Sequence, residues 1–171
     1  VTLTSITAYE TAEDSSLGDI DGGNEGGPGF IPFQSVTRDG IDDLKQFTQE
    51  FRLASINDGP FNWQIGAFFF DSKLKVETES FASFGFVDVQ NTIIQQDNRA
   101  WAVFGQGTYQ LSDVLTMTAG LRYTDDEKDF RVVQFGQLWL DLDIPTSIAP
   151  PLNVSDGQAS YEVALNWAVS D

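Results

Sequence analysis

The residues of this chain whose types and spacing could do chemistry are clustered carboxylates. Residues 125–129 read Asp-Asp-Glu-Lys-Asp, and the segment from Asp19 to Asn24 places carboxylates at alternate positions. Alternate carboxylates are typical of calcium-binding loops, where their oxygens converge on the cation. Such a loop requires glycine at its sixth position and glutamate at its twelfth, and here those positions hold Asn24 and Phe30. We therefore interpret both clusters as solvated surface and assign no catalytic, cofactor-binding or metal-binding residue.

The composition excludes most other kinds of catalytic site. The 171 residues contain no histidine and no cysteine, so the commonest general base, the commonest transition-metal ligand, thiolate sites and disulfides are all missing. Lys+Arg 9 against Asp+Glu 26 gives a net charge of −17, which argues against nucleic acid or anionic phospholipid as a direct partner. Glycine-rich Gly22–Gly29 lacks the lysine and the strand-to-helix context of a phosphate-binding loop. We predict that the protein is not an enzyme.

Apolar and polar side chains alternate along several segments, and nearly all charges within them share the polar phase. In residues 116–123, for example, Met, Ala, Leu and Tyr alternate with Thr, Thr, Gly and Arg. Period two indicates β-strands whose sheet has one apolar and one polar face. The chain has no apolar run long enough for a transmembrane helix. We therefore predict an all-β fold.

Turn signals divide the chain into six strands. Asn57–Pro60 and Gln110–Asp113 are predicted as short turns, whereas three long polar segments are predicted as loops: 10–44, 80–96 and 136–158. The strands are expected at about 1–9, 45–55, 61 to beyond 75, 99–109, 114–124 with an extension to 130 or beyond, and 160–169. Short turns that alternate with long loops in an antiparallel up-and-down meander are typical of a transmembrane β-barrel.

The two phases assign residues to the two sides of a barrel wall. The polar phase predicts a set of lumen-facing residues: Glu50, Arg52, Gln64, Gln106, Arg122, Glu162 and Asn166. Aromatic residues of the apolar phase predict two belts at the membrane interfaces. The turn-end belt is Phe61, Trp63, Tyr109 and Trp167, and the loop-end belt is Phe47, Trp101, Tyr123 and Tyr161. Six residues fit the pattern less well: the apolar-phase Arg99, Gly105 and Gly107 and the polar-phase Phe68, Phe70 and Phe104. Arg99 lies at the loop end, where a long side chain can reach the headgroups.

Several segments resemble one family in order and spacing. FTQEFRLAS at 47–55 and GPFNWQIGAFFF at 59–70 resemble the "QE-LRLAS…GPF-W--G-FYF" signature of TonB-dependent receptors. WAVFGQGTY at 101–109 and LTMTAGLRYT at 115–124 are similar to that family's "AVFGQ-TY-LTD-LTLTAGLRYT" hairpin, and SITAY at 5–9 resembles the strand that precedes them. The resemblance covers nearly the whole chain outside the long loops.

The resemblance implies an active importer in the outer membrane of a Gram-negative bacterium. Such a receptor is a barrel of about 22 strands closed by an N-terminal plug. It is surrounded by outer-membrane lipid and is energised through the inner-membrane TonB complex. Its ligand is scarce, for example a siderophore, cobalamin or an oligosaccharide, and the sequence does not name it. Because the chain begins inside a strand and ends at a turn, we expect residues 1–171 to be a partial barrel domain without the plug domain and the remaining strands.

The long loops are the expected place of ligand recognition, because function collects on loops held by a rigid scaffold. They carry aromatic residues that a merely solvating loop does not need: Phe30, Phe33, Phe81, Phe84, Phe86 and Trp139. The alternative function is a soluble or surface-attached β-rich binding module, for instance for carbohydrates, and a piece of a larger assembly is a third alternative. Extraction behaviour separates the first two, since a barrel needs detergent and a binding module does not.

Overall fold

The structure is a computed structural model that describes residues 1–19, 34–56, 58–83, 87–137 and 143–168. Within these ranges the chain forms strands and short connections and no helix. The strands are β1 (Thr2–Asp19), β2 (Gln34–Ala54), β3 (Phe61–Ser83), β4 (Val87–Ser112), β5 (Leu115–Gln137), β6 (Asp143–Ile148) and β7 (Leu152–Trp167). No helix of the described residues is both long and apolar enough to cross a membrane.

The strands form one antiparallel sheet in the order β1-β2-β3-β4-β5, and β6 and β7 both pair with β5. β7 pairs with the part of β5 up to Phe130, and β6 pairs with β5 from Val133 onward. Pro150 and Pro151 lie between them, and proline has no N–H to donate to a ladder. β6 and β7 are therefore one strand interrupted by prolines, and the predicted six-strand meander is confirmed.

The strands extend well beyond their predicted ends on the loop side. β1 continues to Asp19, β2 begins at Gln34 and β4 begins at Val87, so the segments predicted as loops are strand over much of their length. The expected extensions of β3 and β5 reach Ser83 and Gln137. Alternation of side chains signals a strand only where one face is apolar. The loop-side extensions carry polar residues on both faces, and their hairpin ladders need only backbone groups, which the sequence pattern does not reveal.

The sheet is a single layer without a core. Among the described residues only Ala102 (1% exposed) and Ser72 (6%) are buried. Large apolar side chains are exposed along one face, including Leu121 at 64% and Val163 at 65%. A two-sheet soluble domain buries this kind of face against a second sheet, and the described strands form only one. The apolar face therefore needs a surrounding that the sheet itself does not supply.

Candidate functional site: the two faces of the sheet

The seven predicted lumen residues share one face of the sheet, because residues that are ladder partners point to the same side. Arg52 and Arg122 lie in one row across the strands, with Gly66 and Phe104 between them. Gln64, Gln106 and Glu162 share the neighbouring row. We call this the polar face, and it is formed by Glu50, Arg52, Gln64, Gln106, Arg122, Glu162 and Asn166 together with Phe68, Phe70 and Phe104.

The eight predicted interface aromatics lie on the opposite face, which we call the apolar face. It comprises Phe47, Phe61, Trp63, Trp101, Tyr109, Tyr123, Tyr161 and Trp167 with the aliphatic residues between them, such as Leu53, Ile65, Val103, Leu121 and Val163. Three aromatic pairs bridge neighbouring strands at centroid distances of 5.6 to 6.4 Å: Phe47–Phe69, Phe61–Tyr109 and Trp101–Tyr123.

From β2 to β7, the loop-end aromatics lie in ladder rows that are progressively closer to the turn end. The row of Phe47 reaches β7 at Ser155, yet the loop-end aromatic of β7 is Tyr161, six residues closer to the turn end. Trp101 and Tyr123 occupy the rows in between. A level belt crosses ladder rows in this way only if the strands are tilted. The shift of six residues is about 20 Å along the strand, and the four strand spacings from β2 to β7 are about 19 Å across the sheet. If the belt is parallel to the membrane, the strands are therefore tilted by about 45° from the membrane normal.

The turn-end aromatics also lie closer to the turn end on β7 than on β3 and β4. Tyr109 shares a row with Phe61, Met117 and Leu165, and Trp167 on β7 lies two residues further toward the turn end. Barrel strands in outer membranes are tilted by about 35–45°. The slope of the loop-end belt agrees with that geometry, and the turn-end belt slopes in the same direction but less steeply.

Charges on the apolar face begin just past the loop-end belt. Arg99 lies in the row of Phe47 and forms an ion pair with Asp71, Nε to Oδ2 at 3.5 Å. Further out, Lys45 Nζ donates to Asp43 Oδ2 at 2.6 Å, and this hydrogen bond raises the pKa of Lys45. The apolar surface thus has a sharp charged border on the loop side.

A groove of about 550 Å³ lies beyond this border, at the irregularities in the ladders of β1, β2 and β3. Its lining is mostly acidic: Glu13, Asp14, Ser15, Arg38, Gly40, Ile41, Asp42, Glu77 and Glu79. Arg38 pairs with Glu79 at 3.5 Å, and Lys75 pairs with Asp42 at 2.5 Å, which raises the pKa of Lys75. In the described part of the chain no group of three or more acidic residues is arranged to hold a metal ion.

Gln49 is a polar residue of the apolar face that the sequence analysis did not single out. Thr7 Oγ1 donates to Gln49 Oε1 at 2.6 Å, and Gln49 Nε2 donates to Ser5 Oγ at 3.0 Å. The same amide nitrogen also approaches the carbonyl oxygens of Ile6 and Glu50 at 3.2 and 3.3 Å. The three polar side chains therefore satisfy one another. The position of Gln49 between Phe47 and Phe51 was visible in the alternation of the sequence.

Contacts between glycines and larger side chains explain three of the positions that fitted the alternation poorly, namely Gly105, Gly107 and Phe104. A Cβ atom on Gly107 would meet the Phe61 ring at 3.2 Å, and one on Gly105 would meet Ile65 at 3.5 Å. On the polar face, the Phe104 ring lies over Gly66. The small residues are therefore covered by their larger neighbours across the strands.

Most loop aromatics predicted to contact ligand lie outside the described residues, namely Phe30, Phe33, Phe84, Phe86 and Trp139. Phe81 lies at the end of β3, where only the backbone is described. The expectation about ligand recognition therefore stays a prediction.

Comparison with known proteins agrees with the geometry of the sheet. A family model described as "TonB dependent receptor-like, beta-barrel" matches residues 2–171, and none of the curated proteins compared with the chain matches it. The family consists of outer-membrane transport receptors whose barrel holds a plug domain and which interact with TonB. The match spans nearly the entire chain and confirms the resemblance found in the sequence. The chain belongs to the TonB-dependent receptor family, and it is a β-barrel protein of the outer membrane of a Gram-negative bacterium.

Proposed function

We propose that this chain is part of the wall of an active importer that is energised through TonB and takes up a scarce ligand such as a siderophore, cobalamin or an oligosaccharide. In this proposal the apolar face meets lipid and the polar face lines the lumen. The aromatic belts lie at the two membrane interfaces, and the side with the 57–60 and 110–113 turns faces the periplasm.

The observation that carries this proposal is the slope of the loop-end belt across the ladder, which the turn-end belt shares in direction. A soluble sheet has no reason to place its aromatic residues on a line inclined at about 45° to its strands. A flat membrane imposes that line on any tilted wall, because aromatic side chains prefer the headgroup level. The exposed apolar face, bordered by the Asp71–Arg99 ion pair, supports the same orientation.

The open edges of the sheet support the further proposal that residues 1–171 are a partial barrel domain of a longer receptor. Among the described strands, β1 pairs with β2 only and β7 pairs with β5 only. In lipid, unpaired backbone N–H and C=O groups cost several kcal/mol each, so a spanning sheet closes on itself. We therefore propose that neighbouring strands of the same receptor pair with both edges and that a plug domain fills the closed barrel.

We further propose that the loop ends of this wall contact the ligand. The groove at β1–β3 is lined by five carboxylates and one arginine, Arg38. This charge disfavours a bare polyanionic ligand and leaves neutral or cationic groups favoured.

Uptake assays on the intact receptor test the function. Cells with and without the receptor gene are given labelled ferric siderophores, cobalamin and oligosaccharides in turn. Receptor-dependent uptake of one class that stops when the proton-motive force is dissipated supports the proposal. Uptake that persists without that force would show passive diffusion instead.

Loop shortening tests the place of recognition. Segments 10–44, 80–96 and 136–158 are shortened one at a time, and uptake is measured together with surface expression. Loss of uptake in a receptor that still reaches the surface supports loop recognition. If all three variants import at the parental rate, these loops do not determine binding.

The alternative, a binding module that is soluble by itself or attached to the surface, is tested by extraction. A barrel wall remains in the membrane pellet after a carbonate wash and is released by detergent. Release by the wash alone would favour the binding module.

A further inference from the structure

Arg122 differs from the other cations of the chain. Six of the nine lysines and arginines form ion pairs: Arg38, Lys45, Arg52, Lys75, Arg99 and Lys128. In the described ranges, Lys73, Arg122 and Arg131 have no carboxylate in ion-pair range. Of these three, only Arg122 lies between the two aromatic belts. It is on the polar face, in the same row as Arg52, whose charge is already neutralised by Glu50.

The position of Arg122 is set by a stack of three residues. Gly66 leaves room for the Phe104 ring, because a Cβ at Gly66 would lie within 2.8 Å of Phe104 Cε2. The Arg122 guanidinium lies over this ring, with Cζ at 5.8 Å from its centroid. Arg122 Nε also donates to Thr124 Oγ1 at 3.0 Å. Thr124 thus binds the Nε side of the guanidinium and the Phe104 ring covers one of its faces. The two terminal nitrogens remain for another partner.

Glu162 is the nearest candidate for that partner within this sheet. It is on the polar face of β7, but its ladder partner is Gly120, and Arg122 is paired with Ser160. Glu162 is thus diagonal to Arg122, a separation of about 7–8 Å between such positions, and no ion pair joins the two side chains. The described strands alone do not neutralise Arg122, although acidic residues outnumber basic ones in the chain.

We propose that Arg122, held on Phe104, binds an anionic group with two oxygens, a carboxylate or a phosphate, inside the barrel. An arginine fork matches the geometry of both groups, and contact with an aromatic face keeps the guanidinium oriented. This inference rests on the proposed function, because it requires the polar face to line the lumen. The anion comes either from a side chain of the segment that fills the barrel or from the imported molecule.

Chemical modification separates the two sources. The intact receptor in detergent is treated with phenylglyoxal, which reacts with accessible arginines, and modification of each arginine is followed by mass spectrometry. If the anion comes from outside, Arg122 reacts, and inorganic phosphate slows its reaction severalfold and to saturation. Arg131 on the same strand is the control for nonspecific phosphate binding. We expect phosphate to slow the modification of Arg131 less than that of Arg122. In Phe104→Leu the protection of Arg122 decreases toward that of Arg131.

Cross-linking tests the internal source. In Arg122→Lys, a carbodiimide joins the new amine directly to any carboxylate in contact with it, and mass spectrometry identifies that residue. A link to a carboxylate of the segment inside the barrel supports the inference, and Thr118→Lys, on the same face and strand without an aromatic platform, gives less of it. A link to Glu162 overturns the inference, since the counter-ion then belongs to the wall itself.

The inference is also overturned if Arg122→Lys gives no link and phosphate leaves the reaction of Arg122 unchanged. Both measurements use purified receptor and do not depend on transport. A failure of uptake and a failure of anion binding are therefore distinguishable.

Discussion

Gly66 and Phe104 are ladder partners on β3 and β4, and the ring of Phe104 occupies the space in which a side chain at Gly66 would lie. The backbone is also close, since a Cβ at Gly66 would lie 2.8 Å from the carbonyl oxygen of Phe51. Glycine in a strand often marks such a close approach. The glycine is therefore required for the packing of the polar face. The Phe104 ring in turn contacts the guanidinium of Arg122.

Gly66→Ala is expected to destabilise the receptor by about 1–3 kcal/mol, because the methyl group forces Phe104 or the backbone to move. Gly120→Ala is the matched control on the same face, since its Cβ would meet only ordinary contacts at 3.6 Å and beyond. Thermal unfolding of both variants in detergent, followed by the loss of the compact band in electrophoresis, measures the difference. Equal midpoints for the two variants would contradict the packing described for Phe104.

Leu121→Arg is expected to impair assembly of the receptor much more than Thr118→Arg. Leu121 is 64% exposed on the apolar face, and an arginine in contact with lipid at mid-membrane depth costs about 2–4 kcal/mol. Thr118 is on the polar face, where the change removes only its hydrogen bond to Thr108 at 3.1 Å. The amount of folded receptor in the outer membrane is the measurement, and equal amounts of the two variants would argue against the proposed orientation.

Gln49→Leu is expected to destabilise the receptor although it places an apolar residue on the apolar face. The change leaves the hydroxyl groups of Ser5 and Thr7 without their amide partner, and an unsatisfied polar group shielded from water costs about 1–3 kcal/mol. The triple variant Ser5→Ala, Thr7→Val, Gln49→Leu removes both sides of these hydrogen bonds and is expected to be nearly neutral. Unfolding free energies in lipid vesicles measure both variants, and a triple variant less stable than the single one would refute this explanation.

The strands of the receptor are expected to be tilted by about 45° from the membrane normal, as the slope of the loop-end belt requires. Polarised infrared spectroscopy of the receptor in oriented bilayers measures the mean tilt from the amide I dichroism. Strands aligned within about 20° of the normal would be outside the range of outer-membrane barrels. That outcome would leave the six-residue shift of the loop-end belt between Phe47 and Tyr161 without an explanation.

The alternation of side chains was sufficient to predict the strands near the turns, their antiparallel order and the assignment of residues to two faces. Each of these depends on local properties, namely the period of two and the turn residues at 57–60 and 110–113. The loop-side extensions of β1 and β2 were not predictable in the same way, since these strands continue through segments that carry polar residues on both faces. Their pairing depends on backbone groups that every residue has.

Relationships between strands were decided only by the tertiary structure. The sequence places Phe104 on the polar phase and Gly66 on another strand, but their contact depends on the register of β3 against β4. The ring of Phe104 in turn places the guanidinium of Arg122, on a third strand, where no carboxylate of the described wall reaches it. The slope of the aromatic belts likewise appears only when five strands are aligned. Sequence periodicity therefore determined which way each side chain points, whereas hydrogen-bond register, a property of strand pairs, determined which side chains meet.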